Sequence, residues 1–182
     1  MLKTENTCLV VIDLQEKLMP AIYGNEDLLK KSAALIKGIK LLDVPILVTQ
    51  QYTKGLGPTV AQIAEALGDF EPIEKVTFSC LAEKQFRSKL HDLDKDYVMV
   101  IGAETHICVQ QTVLDLLDRE HHNVYLIADC VGSRREMDKE FAVRRIEGYG
   151  AVVTTLESVL FELLHTAEHP RRKEIQALVM DL

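Results

Sequence analysis

Apolar residues follow two rhythms that alternate along the chain. Compact apolar runs at 8–13, 45–49, 97–103, 123–129 and 151–155, with a more alternating stretch at 71–78, predict six strands. Between them lie segments with a 3.6-residue period. Leu28, Ser32, Leu35, Ile36, Ile39 and Leu42 line one face of a helix started by residues 24–27. Val109, Val113, Leu116 and Leu117 line another just past 97–103. Further helices are expected at 59–67, 83–90, 136–147 and 158–164, the third ended by Gly148 and Gly150. An amphipathic tail at 171–182 carries Ile175, Leu178 and Val179, either for its own domain or for an interface. Residues 52–58, with Gly55, Gly57 and Pro58, read as a loop. Strands alternating with helices mean βαβ units. The expectation is an α/β fold in one domain over 1–182, its mainly parallel sheet covered on both faces.

Composition narrows the class. Hydrophobic residues at 47% and charged residues at 27% describe an ordinary globular chain. A formal charge of −7 argues against a nucleic-acid partner, and the Arg pairs at 134/135, 144/145 and 171/172 are interrupted by acids. No apolar stretch approaches the roughly 18 residues that span a membrane. The start of the chain is polar and its first apolar run is broken at Asp13, so no signal peptide is expected. Cys8, Cys80, Cys108 and Cys130 are scattered without a C-x-x-C spacing, which favours reduced thiols and a cytoplasmic location.

The chemistry gathers at strand ends. In doubly wound sheets the ligand lies beyond the carboxyl ends of the strands, at the switch in strand order. Asp13, Lys75 and Cys108 all fall at or near such ends. Cys108 is expected in the first turn of a helix, where orphan N–H groups and the helix dipole stabilise a thiolate. Singly, each residue has an ordinary structural explanation. Jointly they form a nucleophile set without histidine: a carboxylate takes the thiol proton and an ammonium holds the thiolate. His106, two residues from Cys108, reads as a cap or first-turn residue, and Cys130 as packing.

Three motifs give this arrangement a family. V-V-I-D-L-Q at 10–15, E-K-V-T-F-S at 74–79 and G-A-E-T-H-I-C-V-Q-Q-T at 102–112 resemble the isochorismatase-like cysteine hydrolases, in order and spacing. Q-Q-Y-T-K-G-L-G at 50–57 is similar to the isochorismatase domain-containing subgroup. The resemblance implies a three-layer Rossmann-like fold with a six-stranded parallel sheet, and an Asp13–Lys75–Cys108 triad. It also implies a non-proline cis peptide at Ala103–Glu104, an oxyanion hole from the backbone N–H groups of Glu104 and Cys108, and a homo-oligomer.

Metal-dependent nicotinamidases of the family carry an Asp-x-His pair where this chain has Val48, Thr49, Gln50, Gln51 and Tyr52, so no metal or other cofactor is expected. True isochorismatases lack the cysteine, so Cys108 favours hydrolysis of a small-molecule amide or related C–N bond. Gln15, Tyr52, Leu56 and Phe78 follow the motif strands and are expected near the substrate. Two other readings use the same fold: an idle interaction scaffold, and a thiol redox sensor, which would need a resolving cysteine.

Overall fold

A computed structural model describes residues 1–120 and 122–182. Its centre is β1 (Thr7–Ile12), buried at every position. β2 (Ile46–Gln51) and β3 (Ile73–Lys75) lie to one side. β4 (Tyr97–Ala103), β5 (Asn123–Gly132) and β6 (Val152–Thr154) lie to the other. The order is β3-β2-β1-β4-β5-β6 and every pairing is parallel. The expected six-stranded parallel sheet is therefore present, and its order reverses between β1 and β4.

Continuous apolar runs make such strands because both faces are covered. Leu9 and Val11 of β1 point into one core, with Leu35, Ile36 and Ile39 of α1 (Asn25–Leu41) and Ile63 of α3 (Ala61–Leu67). Leu160 of α7 (Leu156–Leu164) and Ile175 of α8 (Arg172–Met180) join the same core. Cys8, Val10 and Ile12 point into the other core, with Phe86 of α4 (Lys84–Leu93) and Ile146 of α6 (Glu136–Tyr149). Val113 and Leu116 of α5 (Gln110–Arg119) complete that side. The C-terminal tail thus docks on its own domain: a Cβ at Gly38 of α1 would lie 3.3 Å from the Ile175 side chain.

Three elements differ from the sequence pattern. Residues 52–58 contain a short helix, α2 (Thr53–Leu56), where an unstructured loop was expected. Thr53 holds its start by bonding Glu74 through both its N–H and its hydroxyl. The strand expected over 71–78 shrinks to three residues. Pro72 cannot donate to a ladder, and past Lys75 the carbonyls of Thr77 and Phe78 turn toward the Lys75 ammonium. The helix expected to carry Cys108 is preceded by a π-helical turn, Thr105–Val109, and the cysteine sits in that turn. The sequence pattern sets His121 and His122 at a helix end, favourable for the dipole; His121 lies outside the described residues.

Gly102 explains how β1 and β4 meet at the reversal. Its φ is +128°, and a Cβ there would stand 2.0 Å from the Ile12 carbonyl oxygen. Only glycine permits that approach. The two backbones are pressed together one residue before Asp13 and one before Ala103.

Candidate active site

Asp13 follows β1 with φ +54°, a conformation Asp tolerates better than most residues, and is buried. One carboxylate oxygen, Oδ1, accepts the Thr49 hydroxyl at 2.8 Å. The other, Oδ2, accepts Lys75 Nζ at 2.6 Å, with both side chains fully withdrawn from solvent. Lys75 comes from the sheet edge, two strands away, so its long stem crosses over β2 to reach the carboxylate. Burial is the largest single effect and pulls the ammonium down, but the Asp13 carboxylate together with the nearby Cys80 and Cys108 outweighs it, and the net shift is upward. The lysine therefore stays charged.

Such a pair is costly to break. Lys75→Met is expected to lower unfolding free energy by about 3–5 kcal/mol, because it strands a buried carboxylate. Adding Asp13→Asn should recover most of the loss, since no buried charge then remains. Urea unfolding of both single variants and the double variant measures the coupling. Purely additive losses would show that the two charges are held independently.

Cys108 faces this pair from the π-helical turn. Burial, reinforced by the Asp13 carboxylate and opposed by Lys75, pushes its thiol up to about 12. This corrects the expectation of a thiolate stabilised by the helix start. The turn precedes α5, and desolvation plus a neighbouring anion outweigh the helix end. The resting site holds a neutral thiol beside a buried ion pair.

The remaining expected residues divide. The Ala103–Glu104 peptide is cis, and the Glu104 N–H has no hydrogen-bond acceptor among the described residues. The Glu104 side chain turns away, accepting from Arg134 N and Nε at 3.0 Å each. Gln15 is fully buried. Its Nε2 donates to the carbonyls of Gln51 at 3.1 Å and Gly57 at 2.7 Å, and its Oε1 accepts from Gln51 N at 2.7 Å. It braces the site from behind and has no free polar atom for a ligand. Tyr52 and Phe78 are each 53% exposed, and Leu56 is half-buried. His106 bonds Ser133 Oγ at 2.9 Å and Cys130 is sealed in the core below α1.

Sequence reasoning missed Gln51. This residue ends β2, and its Oε1 accepts Lys75 Nζ at 2.7 Å and lies 4.0 Å from Cys108 Sγ. A glutamine in a run of polar residues carries no local signal; only its place at a strand end beside β1 marks it.

The arrangement has relatives. The family model for the isochorismatase domain matches residues 7–158. The chain belongs to the isochorismatase family. Isochorismatase domain-containing protein 2 of Danio rerio is 37% identical over 179 residues, covering 98% of this chain and 89% of the relative. A solved structure described as the MAR1 ribonuclease of Caenorhabditis elegans is 37% identical, with a TM-score of 0.92, covering 98% of this chain and 92% of that one. YcaC of Pseudomonas aeruginosa, 20% identical, shares the fold at a TM-score of 0.87 over 97% of this chain and 87% of its own. Membership in the isochorismatase family supports a hydrolase-type function.

Proposed function

We propose that this chain hydrolyses a small-molecule amide or related C–N bond through a thioester on Cys108. One observation carries the reading: a buried Asp13–Lys75 ion pair, assembled from β1 and β3, lies against a cysteine at the reversal of strand order. Asp13 is the base. With substrate bound it takes the thiol proton as sulfur attacks the carbonyl carbon, and Lys75 offsets the negative charge that sulfur gains. The oxyanion is received by the backbone N–H groups of Glu104 and Cys108. The C–N bond breaks, and the amine or ammonia leaves with the proton from Asp13. Water, deprotonated by Asp13, then cleaves the thioester to the acid and restores the thiol.

Tyr52, Val76 and Phe78 are exposed and lie close in sequence to Gln51 and Lys75, which suits contact with a small organic substrate. No helix among the described residues is long and apolar enough to cross a membrane. The exposed Tyr52, Val76 and Phe78 and the four buried free thiols fit a homo-oligomer in the reducing cytoplasm, which completes the proposal.

The decisive test pairs a screen of small amides for ammonia release with intact-mass detection of an acyl group on Cys108. A carboxylate that raises the thiol pKa and also serves as base makes a distinctive forecast. Asp13→Asn should label faster with iodoacetamide at pH 8 than the wild type, because the repelling charge is gone, yet should not turn over. Lys75→Ala should label more slowly. An Asp13→Asn variant that labels more slowly and keeps its turnover would remove Asp13 from the mechanism.

A second reading, RNA cleavage, comes from the name of the nematode neighbour. The net charge of −7 weighs against a phosphate-backbone partner. It requires RNA shortening by the wild type that Cys108→Ala loses.

A further inference from the structure

Lys75 does not reach the thiol directly. Its three protons are spent on Asp13 Oδ2 at 2.6 Å, on Gln51 Oε1 at 2.7 Å and, shared, on the carbonyls of Thr77 and Phe78 at 3.3 Å each. Gln51 Oε1 accepts from the ammonium and lies 4.0 Å from Cys108 Sγ, beside the Asp13 carboxylate, whose charge and hydrogen bonding also favour the protonated thiol.

The carboxamide cannot turn over. Its Nε2 donates to the Val76 carbonyl at 2.9 Å, and a flip would set an NH₂ against the Lys75 ammonium while leaving Val76 without its donor. The backbone beneath it is equally fixed, because Gln15 bonds both the N–H and the carbonyl of Gln51. The oxygen is thereby presented to the sulfur by a rigid strand end.

We infer that Gln51 is a positioning residue that accepts the Cys108 S–H and keeps the nucleophile protonated until substrate arrives. An amide oxygen accepts a hydrogen bond but is too weak a base to take the proton. It favours S–H over S⁻, since its partial negative charge attracts the first and repels the second. It also engages the Lys75 proton that would otherwise be free to turn to sulfur. Proton transfer is thus left to Asp13, and adventitious electrophiles meet a thiol in place of a thiolate.

The inference rests on Cys108 as the nucleophile, and its test needs no substrate. Iodoacetamide labelling of Cys108 at pH 8 is followed by peptide mass spectrometry in the wild type, Gln51→Met and Gln51→Glu. Gln51→Met removes the acceptor and releases a Lys75 proton, so labelling should rise about three- to tenfold, a shift of one pH unit in the thiol partly offset by its lower nucleophilicity. Gln51→Glu adds an anion in the same place and should slow labelling by a similar factor. A merely structural role would change stability without moving the two variants in opposite directions. Unchanged or slower labelling in Gln51→Met overturns the inference. If that variant does not fold, the isosteric Gln51→Glu decides: equal or faster labelling overturns it. Failure of the hydrolase reading shows differently, as wild-type protein that turns over no amide while both labelling shifts persist.

Discussion

Cys108→Ala is expected to lose amide turnover by a factor on the order of 10⁴ or more, with unfolding free energy within about 1 kcal/mol of the wild type. The mechanism has one covalent centre, and neither Asp13 nor Lys75 can replace it. Asp13 is bound to Thr49 and Lys75, and Lys75 spends every proton on oxygen acceptors. Cys108→Ala keeps the Cβ of a small core residue and removes one sulfur, whose contact with Gln51 is long at 4.0 Å, so it costs the fold little. Turnover is read as ammonia release on the best amide from the screen, and stability from urea unfolding on the same samples. Undiminished turnover by the variant would leave Cys108 as a core residue and return the idle-scaffold reading.

Steep loss of stability is expected above pH 9. All four cysteines are buried, and burial is the leading cause that holds each thiol high. Cys8 and Cys108 are pushed up to about 12, Cys80 to about 11, and Cys130 well above the ordinary thiol value. In the unfolded chain the same groups release their protons near 9, the ordinary value. Between these limits the unfolded state binds fewer protons than the folded one, so rising pH favours unfolding. Each thiol contributes about 1.4 kcal/mol per pH unit within the window. Four together give about 6 kcal/mol per unit, against an ordinary domain stability of about 5–15 kcal/mol. Unfolding within about one to three units above pH 9 follows. Urea midpoints at pH 8, 9 and 10 under reducing conditions measure it, and Cys8→Ala should flatten the slope by about a quarter. A slope already flat in the wild type would mean that water reaches the thiols.

The fold was legible because burial on both faces writes itself as unbroken apolar runs, as in β1, where alternate residues serve opposite cores. What the runs could not specify is where a strand stops for polar reasons. The third strand ends early because Lys75 collects the carbonyls of Thr77 and Phe78 around its ammonium, a tertiary demand that leaves no trace in local pattern. The positions of Asp13, Lys75 and Cys108 followed from strand ends, and their family resemblance followed from motif order. The protonation state of Cys108 did not follow. It depends on the summed effect of burial, one carboxylate and one ammonium, of which sequence supplies the identities but not the depth. Gln15 shows the same limit: its motif position suggested ligand contact, whereas its carboxamide is consumed by Gln51 and Gly57.

The meeting of Gly102 with the Ile12 carbonyl has a consequence for how this scaffold can change. Where the gap between two packed layers is filled by side chains, its width drifts whenever those side chains are exchanged. Here main chain rests on main chain, so the interval between the acid-bearing strand and the cysteine-bearing turn has a mechanical stop. Substitutions in either core can alter stability while that interval stays constant. The surroundings are free to diversify, and new substrates can be explored by rebuilding the exposed segments after β2 and β3, without recalibrating the reacting groups each time.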